Sequence, residues 1–448
     1  MSPACSEYLW VQISKRSWRL ILKFASSITP PNALVWFLFS LVGCGAPERG
    51  TEITFWGFGA EGENVRALIP EFERQNPGIR VRVQMIPWTA AHEKLLTAYA
   101  GNSLPDICQL GNTWIPEFTL LRAIEPLDSW IKASKSIRPE NYFPGIWETN
   151  KIDSVLYGIP WYVDTRALYY RTDVLQSVGY SMAPRTWDEW LDVSKKIKKR
   201  QTNKNRYAVL LPTNEWAPPV IFGLQKGSGL LKENDTKGDF AGAAFRSAFE
   251  FYMKFYDLDL APTGVTQVTN IYQGIAEEFF VMYISGPWNI GEFLRRLPDS
   301  LQDKWMTAPL PTADGLFPGT SLAGGSSLVL FRTSDKKKET WKLIEYLSDP
   351  STQMIFHRLT GDLPARREAW LDTTLRNNKY ARAFYTQLER VKPTPKVPEW
   401  EQIAMKVQEY SEIASMKRMN VTETLEALDR EVDKILEKRR WMLERARK

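Results

Sequence analysis

Between Glu52 and Trp114 the sequence alternates short apolar runs with amphipathic ones, and this alternation limits the fold more than any other feature of the 448 residues. Glu52 to Phe55 reads as a strand, and Gly57, Gly59 and Gly62 permit a turn after it. Glu63 to Arg74 carries Val65, Leu68, Ile69 and Phe72 at i, i+3, i+4 and i+7, the apolar face of one amphipathic helix. Asn76-Pro77-Gly78 ends it. Ile79 to Ile86 alternates apolar and polar side chains as a half-buried strand does. A second helix is expected over Thr89 to Ala100 and a third strand over Asp106 to Leu110. Strand, helix, strand, helix, strand predicts an α/β layer on a parallel sheet, whose ligands sit beyond the carboxyl ends of the strands. That rule selects the turns Trp56 to Glu61, Pro87 to Ala90 and Gly111 to Trp114. Each holds a tryptophan, and the repetition favours a shared cleft lined by Trp56, Trp88 and Trp114 over three separate plugs at the sheet edge. Glu61 and Asn112 are polar groups in two of these turns.

The most informative single segment is Gly158-Ile-Pro-Trp-Tyr-Val-Asp-Thr-Arg-Ala-Leu-Tyr-Tyr-Arg171. Pro160 fixes φ and biases Ile159 to extended geometry, and Ala167 to Tyr170 reads as a short buried strand. Trp161 to Arg166 is therefore expected where a strand enters or leaves a lobe. An aromatic ring such as that of Tyr162 can lie on the apolar face of a pyranose, while Asp164 and Arg166 share its hydroxyls as acceptor and donor. The alternative is an ordinary buried Arg–Asp pair beside core aromatics.

Later elements follow the same reading. Thr186-Trp187-Asp188-Glu189 opens a helix as N-cap and capping box. Tyr207 to Leu211 is a strand with Trp216 beyond its end, and Phe279 to Ile284 another, ending in Ser285-Gly286-Pro287-Trp288. Ser326 to Phe331 is a strand preceded by Gly324-Gly325, where missing side chains let a ligand lie against the backbone. The last 50 residues read as helical, with Asn420 as a cap.

The 158–171 segment resembles the G-(I/V)-P-(Y/W)-x-x-D-x-x-x-(L/I)-x-Y-(R/N) stretch of extracellular solute-binding proteins of ABC sugar importers, the maltose- and trehalose-binding type. Ile53 to Gly62, Pro105 to Phe118, and Gly319 to Arg366 with its GG, LIEYLSDP and LPAR pieces agree in order and spacing. The resemblance implies an α/β, two-lobed periplasmic-binding-protein fold of type II, with lobes at 51–160 plus 311–362 and 161–310 plus 363–448. It implies crossovers at Pro160 to Arg166, near Leu310 to Gly319, and at Gly361 to Arg366. It further implies ligand contacts from Asp164, Trp288 and Arg366, in a set completed by Trp56, Glu61, Trp88, Asn112, Trp114, Tyr162, Arg166, Trp216 and Gly325. The implied partners are a carbohydrate and the permease subunits of an importer with its cytoplasmic ATPase. No cofactor is expected, and the protein is expected to be a monomer.

Residues 1–43 hold a basic leader and the apolar run Ala33 to Gly43, too short for a comfortable membrane span and suited to a signal peptide. Leu41-Val42-Gly43-Cys44 resembles the bacterial lipobox, which implies lipidation at Cys44, a tether over 44–50 and a place on the extracytoplasmic face of the membrane. Lys15, Arg16, Arg19 and Lys23 against Glu7 carry +3 of the net +6, which leaves +3 after Cys44. That is too little for a nucleic-acid footprint. With Cys5 and Cys44 removed by processing and lipidation, Cys108 has no partner for a disulfide. His92 and His357 are too few for a histidine-rich metal site.

Two other functions use similar residues. An exported glycoside hydrolase needs one acid of raised pKa opposite a second carboxylate, and no local sequence suggests such a pair. A ferric-ion binder could use Tyr169 and Tyr170, but adjacent strand residues point to opposite faces.

Overall fold

The computed structural model describes residues 50–203, 205–263 and 270–446, so the expected signal peptide, Cys44 and all of the tether except Gly50 lie outside the described residues. The first four strands used below are β1 (Thr51–Phe58), β2 (Ile79–Ile86), β3 (Ile107–Gly111) and β4 (Ile159–Asp164). Next come β5 (Ala167–Arg171), β6 (Val209–Leu210), β7 (Met282–Ser285) and β8 (Trp305–Ala308). The last four are β9 (Ser321–Leu322), β10 (Gly324–Leu330), β11 (Leu363–Pro364) and β12 (Val391–Lys392). Six of them form one sheet in the order β11-β4-β10-β3-β1-β2, and four form a second, β8-β5-β7-β6.

In the larger sheet β1 is parallel to β2 and β3, as the alternation of elements requires, whereas β10 and β11 run antiparallel to their neighbours. Both faces are covered. Phe55, Trp161 and Leu328 belong to one apolar cluster, and Phe58, Cys108 and Val329 to another on the opposite face. β3 is buried at every position, which is why Ile-Cys-Gln-Leu-Gly reads as a continuous run rather than an alternating one.

Local chemistry corrects some expected boundaries. The single helix over Glu63 to Arg74 is two helices, α1 (Gly59–Asn64) and α2 (Ile69–Gln75), joined by a 3₁₀ turn at Val65–Ala67. Pro70 lacks an N–H, so it opens a helix here instead of continuing one. The apolar stripe survives, because Val65, Leu68, Ile69 and Phe72 are all buried. Helix α3 (Trp88–Ala100) starts one residue earlier than expected, at the tryptophan. At Thr186 the hydroxyl accepts from the Glu189 amide, but the returning Glu189 carboxylate accepts from Arg185 rather than from Thr186. The cap at Asn420 is a complete capping box.

The lobe boundaries also move. Pro160 to Asp164 is strand β4 of the six-stranded sheet, so the first passage to the four-stranded sheet shrinks to Thr165–Arg166. Leu310 to Gly319 does not cross at all. Thr312 exchanges backbone bonds with Arg185 and Trp187, and Leu310 donates to the Gln387 side chain, all on the four-stranded side. The second passage lies instead between β9 and β10, at Ala323. Gly361 to Arg366 is likewise no crossover, since Leu363 and Pro364 pair with Val163 and Tyr162 inside the six-stranded sheet. The chain passes over later, between Leu371 and the helix Ala381–Leu388 packed on β5 and β8.

Candidate functional site

A cavity of about 440 Å³ lies between the two sheets, walled by strand ends and turns from both. Three sequence-selected regions meet there as the strand-end rule requires: α1 with Glu61, the start of α3 with Trp88, and the turn after β3 with Asn112 and Trp114. Tyr162, Asp164, Arg166, Trp216, Trp288 and Gly325 join them.

Tyr162 joins three strands of the six-stranded sheet. Its Oη accepts from Gln109 Nε2 of β3 at 3.0 Å and from Ser326 Oγ of β10 at 2.9 Å. Burial pushes its pKa well up, and the nearby Glu61 carboxylate adds to the rise, so the phenol stays neutral. Glu61 accepts from Trp88 Nε1 at 3.2 Å. Burial raises the Glu61 pKa, and the donors from Trp88 and Tyr162 oppose the rise.

Asp164 ends β4 and Arg166 lies in the first passage. Arg166 Nη1 reaches both Asp164 oxygens at 2.9 Å, and Glu215 stands 4.0 Å from Nη2. Burial raises both carboxyl pKa values while Arg166 holds them down. The guanidinium also lies 4.6 Å from the centre of the Trp288 ring. Trp288 is 43% exposed, an aromatic left open at the mouth of a cavity. On the same side Trp216 packs edge-on against buried Trp400, 5.5 Å between ring centres, which fixes it as a wall. Among the described residues, Asn112 Nδ2, Thr165 Oγ1 and Arg166 Nε are buried without a hydrogen-bond partner, although all three residues line the cavity. Unpaired buried donors are costly, so they mark where ligand oxygens would be accepted.

Two expected residues are elsewhere. Trp56 sits in β1 two residues before the strand end, one pleat down from the cavity, where its ring meets Lys94 at 5.2 Å and the cluster containing Phe58. Arg366 is 4% exposed and turned into the six-stranded lobe: Nη1 donates to the carbonyls of Ser136 and Ser348 at 3.0 and 3.2 Å, and Nη2 pairs with Glu368. It ties a turn and a helix end together, and the pairing of β11 aims it away from the cleft.

Gly325 lines the cavity for a different reason than expected. Its φ of +116° and the Tyr162 carbonyl, 2.3 Å from where a Cβ would stand, exclude any side chain. A register shift follows in the same strand, between Ser326 and Ser327.

Sequence reasoning missed Asp362, Thr394 and Glu401 in the wall. Asp362 follows Gly361, the left-handed cap that ends helix Pro350–Thr360, and that stop signal was readable. Its carboxyl is pushed up to about 7 by burial, with Glu61 and Asp164 adding repulsion. Thr394 and Glu401 carry no local signal; Thr394 arrives on the segment after β12 and Glu401 in the first turn of the helix Trp400–Ser415. Tyr169 and Tyr170 belong to different apolar clusters on opposite faces of the four-stranded sheet, which rules out joint ligation of iron.

A model described as bacterial extracellular solute-binding protein matches residues 58–354. The fold is similar to that of the sugar-binding protein MalE from the phytopathogen Xanthomonas citri, with a TM-score of 0.85 and 48% identity, covering 88% of this chain and 99% of that one. The diacetylchitobiose binding protein DasA of Streptomyces coelicolor is 25% identical over 78% of this chain and 81% of its own length. The galactooligosaccharide-binding protein of Bacillus subtilis is 24% identical over 81% of this chain and 86% of its own.

Proposed function

Because this chain belongs to the bacterial extracellular solute-binding protein family, we propose that its cleft captures a sugar and delivers it, chemically unchanged, to the permease of an ABC importer. The observation that carries this reading is the composition of the cleft wall. Four tryptophans, Trp88, Trp114, Trp216 and Trp288, stand with carboxylates and unpaired donors around one cavity of about 440 Å³. Indole faces cover the apolar C–H faces of a sugar ring, and the fixed polar groups take up its hydroxyls. Asp164, Arg166 and Asn112 act as hydroxyl partners, and Trp288 and Trp88 as stacking faces.

Capture is coupled to closure of the two lobes about Thr165–Arg166 and Ala323. A ligand touching both walls stabilises the closed form by as much as its contacts there exceed those in the open one. The protein works as a monomer on the extracytoplasmic side, held at the membrane through lipid on Cys44. Support for the anchor is the apolar run before Leu41-Val42-Gly43-Cys44; none of the described helices is long and apolar enough to cross a membrane.

A thermal-shift screen over mono-, di- and oligosaccharides tests the function. A binder raises apparent stability by RT ln(1 + [L]/Kd), about 2.7 kcal/mol at a hundredfold excess over Kd. No stabilisation by any sugar at millimolar concentration would reject the reading.

A further inference from the structure

The charge of the cleft is lopsided. Among the described residues that line it, Glu61, Asp164, Asp362 and Glu401 are acidic and Arg166 alone is basic. Arg166 is already committed to Asp164, with Glu215 beside it. Glu61 and Asp362 have no cationic partner among the described residues.

These two carboxyls share the wall formed by the six-stranded sheet and repel each other, which is part of why Asp362 holds its proton to about pH 7. Glu61 is oriented by the indole N–H of Trp88, while Asp362 Oδ2 is buried with no hydrogen-bond partner. A group that donates hydrogen bonds and carries positive charge would relieve both the repulsion and the unmet acceptor. A metal ion is a poor candidate, because no three acidic, histidine or cysteine side chains among the described residues are grouped to hold one.

The aromatic walls point the same way. Trp88 donates its indole N–H to Glu61, and Trp114 packs edge-to-face on Trp88 with 5.9 Å between ring centres, so an ammonium beside the carboxylates sits in an aromatic-walled corner of the cleft. The cleft already sets one cation on a ring face, where the Arg166 guanidinium covers Trp288. Independently, Asn112 is 5% exposed and its Nδ2 lacks an acceptor, as expected if a neutral sugar oxygen of the same ligand reaches it.

We propose that the Glu61–Asp362 wall, with Trp88 and Trp114 beside it, is a subsite for a protonated amine, and that the sugar taken by this protein is an amino sugar with a free amino group. This rests on the sugar-binding reading above and names its substrate class. Neutral sugars bind more weakly, and acidic sugars are repelled by the uncompensated carboxylates.

Calorimetric titration of the purified protein at pH 7.5 with matched pairs tests it: trehalose against trehalosamine, cellobiose against its diamino counterpart with a free amine on each ring, and glucose against glucosamine. For at least one pair the amine is expected to bind tenfold or more tighter than its neutral parent. That preference should fall to about threefold or less in Glu61→Gln and in Asp362→Asn. Added salt should weaken the amine and leave the parent little changed. If, in every pair that binds, the neutral member binds as well as its amine, this inference is overturned while the sugar-binding reading stays intact. A preference that persists in both variants overturns the assignment to this wall. Absence of binding by every pair, and by the wider sugar screen, overturns both. The two substitutions are nearly isosteric, and circular dichroism melting of each alone verifies the fold.

Discussion

The Ser321 hydroxyl donates to the Arg166 carbonyl at 2.9 Å and accepts from the Arg166 amide at 3.2 Å, so the first two passages between the sheets are stitched together by one side chain. Ser321 is fully buried and belongs to β9, which pairs in parallel with β12. The junction of the lobes is thus a hydrogen-bonded strap.

Ser321→Ala removes both bonds and leaves the Arg166 amide without its acceptor. An unsatisfied buried backbone group costs about 1–3 kcal/mol. Urea unfolding should lose that much stability. A midpoint unchanged from wild type would mean that the strap does not hold the junction.

Asp164→Ala should weaken sugar binding about ten- to a hundredfold, since hydrogen bonds to charged groups contribute about 1.5–3 kcal/mol and 1.4 kcal/mol is a decade. Arg166 then keeps Glu215, at 4.0 Å, as its carboxylate neighbour among the described residues. Trp288→Ala, at a position 43% exposed, should lose a comparable factor while melting close to wild type. Calorimetry and ligand-free melting on the same samples separate the two roles. A large fall in melting temperature for Asp164→Ala would place it in the scaffold instead.

The Asp362 carboxyl titrates near 7 in the folded protein, against an ordinary value of about 3.8. The folded state therefore holds more protons than the unfolded chain between those values, and stability from this group falls as pH rises from about 4 to 7 and is level above. Asp362→Asn removes that slope. The variant should gain stability relative to wild type from pH 4.5 to 7.5 in parallel urea titrations. A constant difference across that range would show that Asp362 ionises normally.

Gly325→Ala places a Cβ against the Tyr162 carbonyl at a φ of +116°. Backbone held in so sparse a region costs about 1–3 kcal/mol, and the clash adds to it. Gly78, at φ +92° with nothing within 4 Å of a Cβ, is the control and should lose about 1 kcal/mol on the same change. Equal losses at the two positions would mean that the strand bends away from the methyl.

In the small-angle scattering of the protein with and without a bound sugar, the radius of gyration should fall on binding as the lobes close. Tight binding with an unchanged radius would argue for a rigid site.

Much of the first lobe was legible because its signals are local. A 2-residue period at Ile79 to Ile86 and a 3.6-residue period through Val65, Leu68, Ile69 and Phe72 state which faces are buried, and strand ends state where ligands collect. Hence Trp88, Trp114, Asn112 and Glu61 were found without knowing what they meet. Trp56 was misplaced because a strand end predicted to within a few residues cannot say which side of the last pleat a ring occupies. Arg366 was misplaced because its direction depends on the pairing of β11 with β4, made across some 200 residues of chain.

What the sequence determined by itself was the set of elements, the family resemblance and most of the cleft's aromatic and polar inventory, all of which reside in short stretches of chain. Tertiary structure alone decided where the chain passes between lobes, which carboxylates face each other and which donors are left unpaired. Those depend on segments far apart in the chain: Ser321 closing on Arg166, and Asp362 and Glu61 on one wall, with Glu401 brought to the same cleft. Burial and mutual repulsion arise only when such groups share a volume from which water is excluded, and no local pattern encodes that.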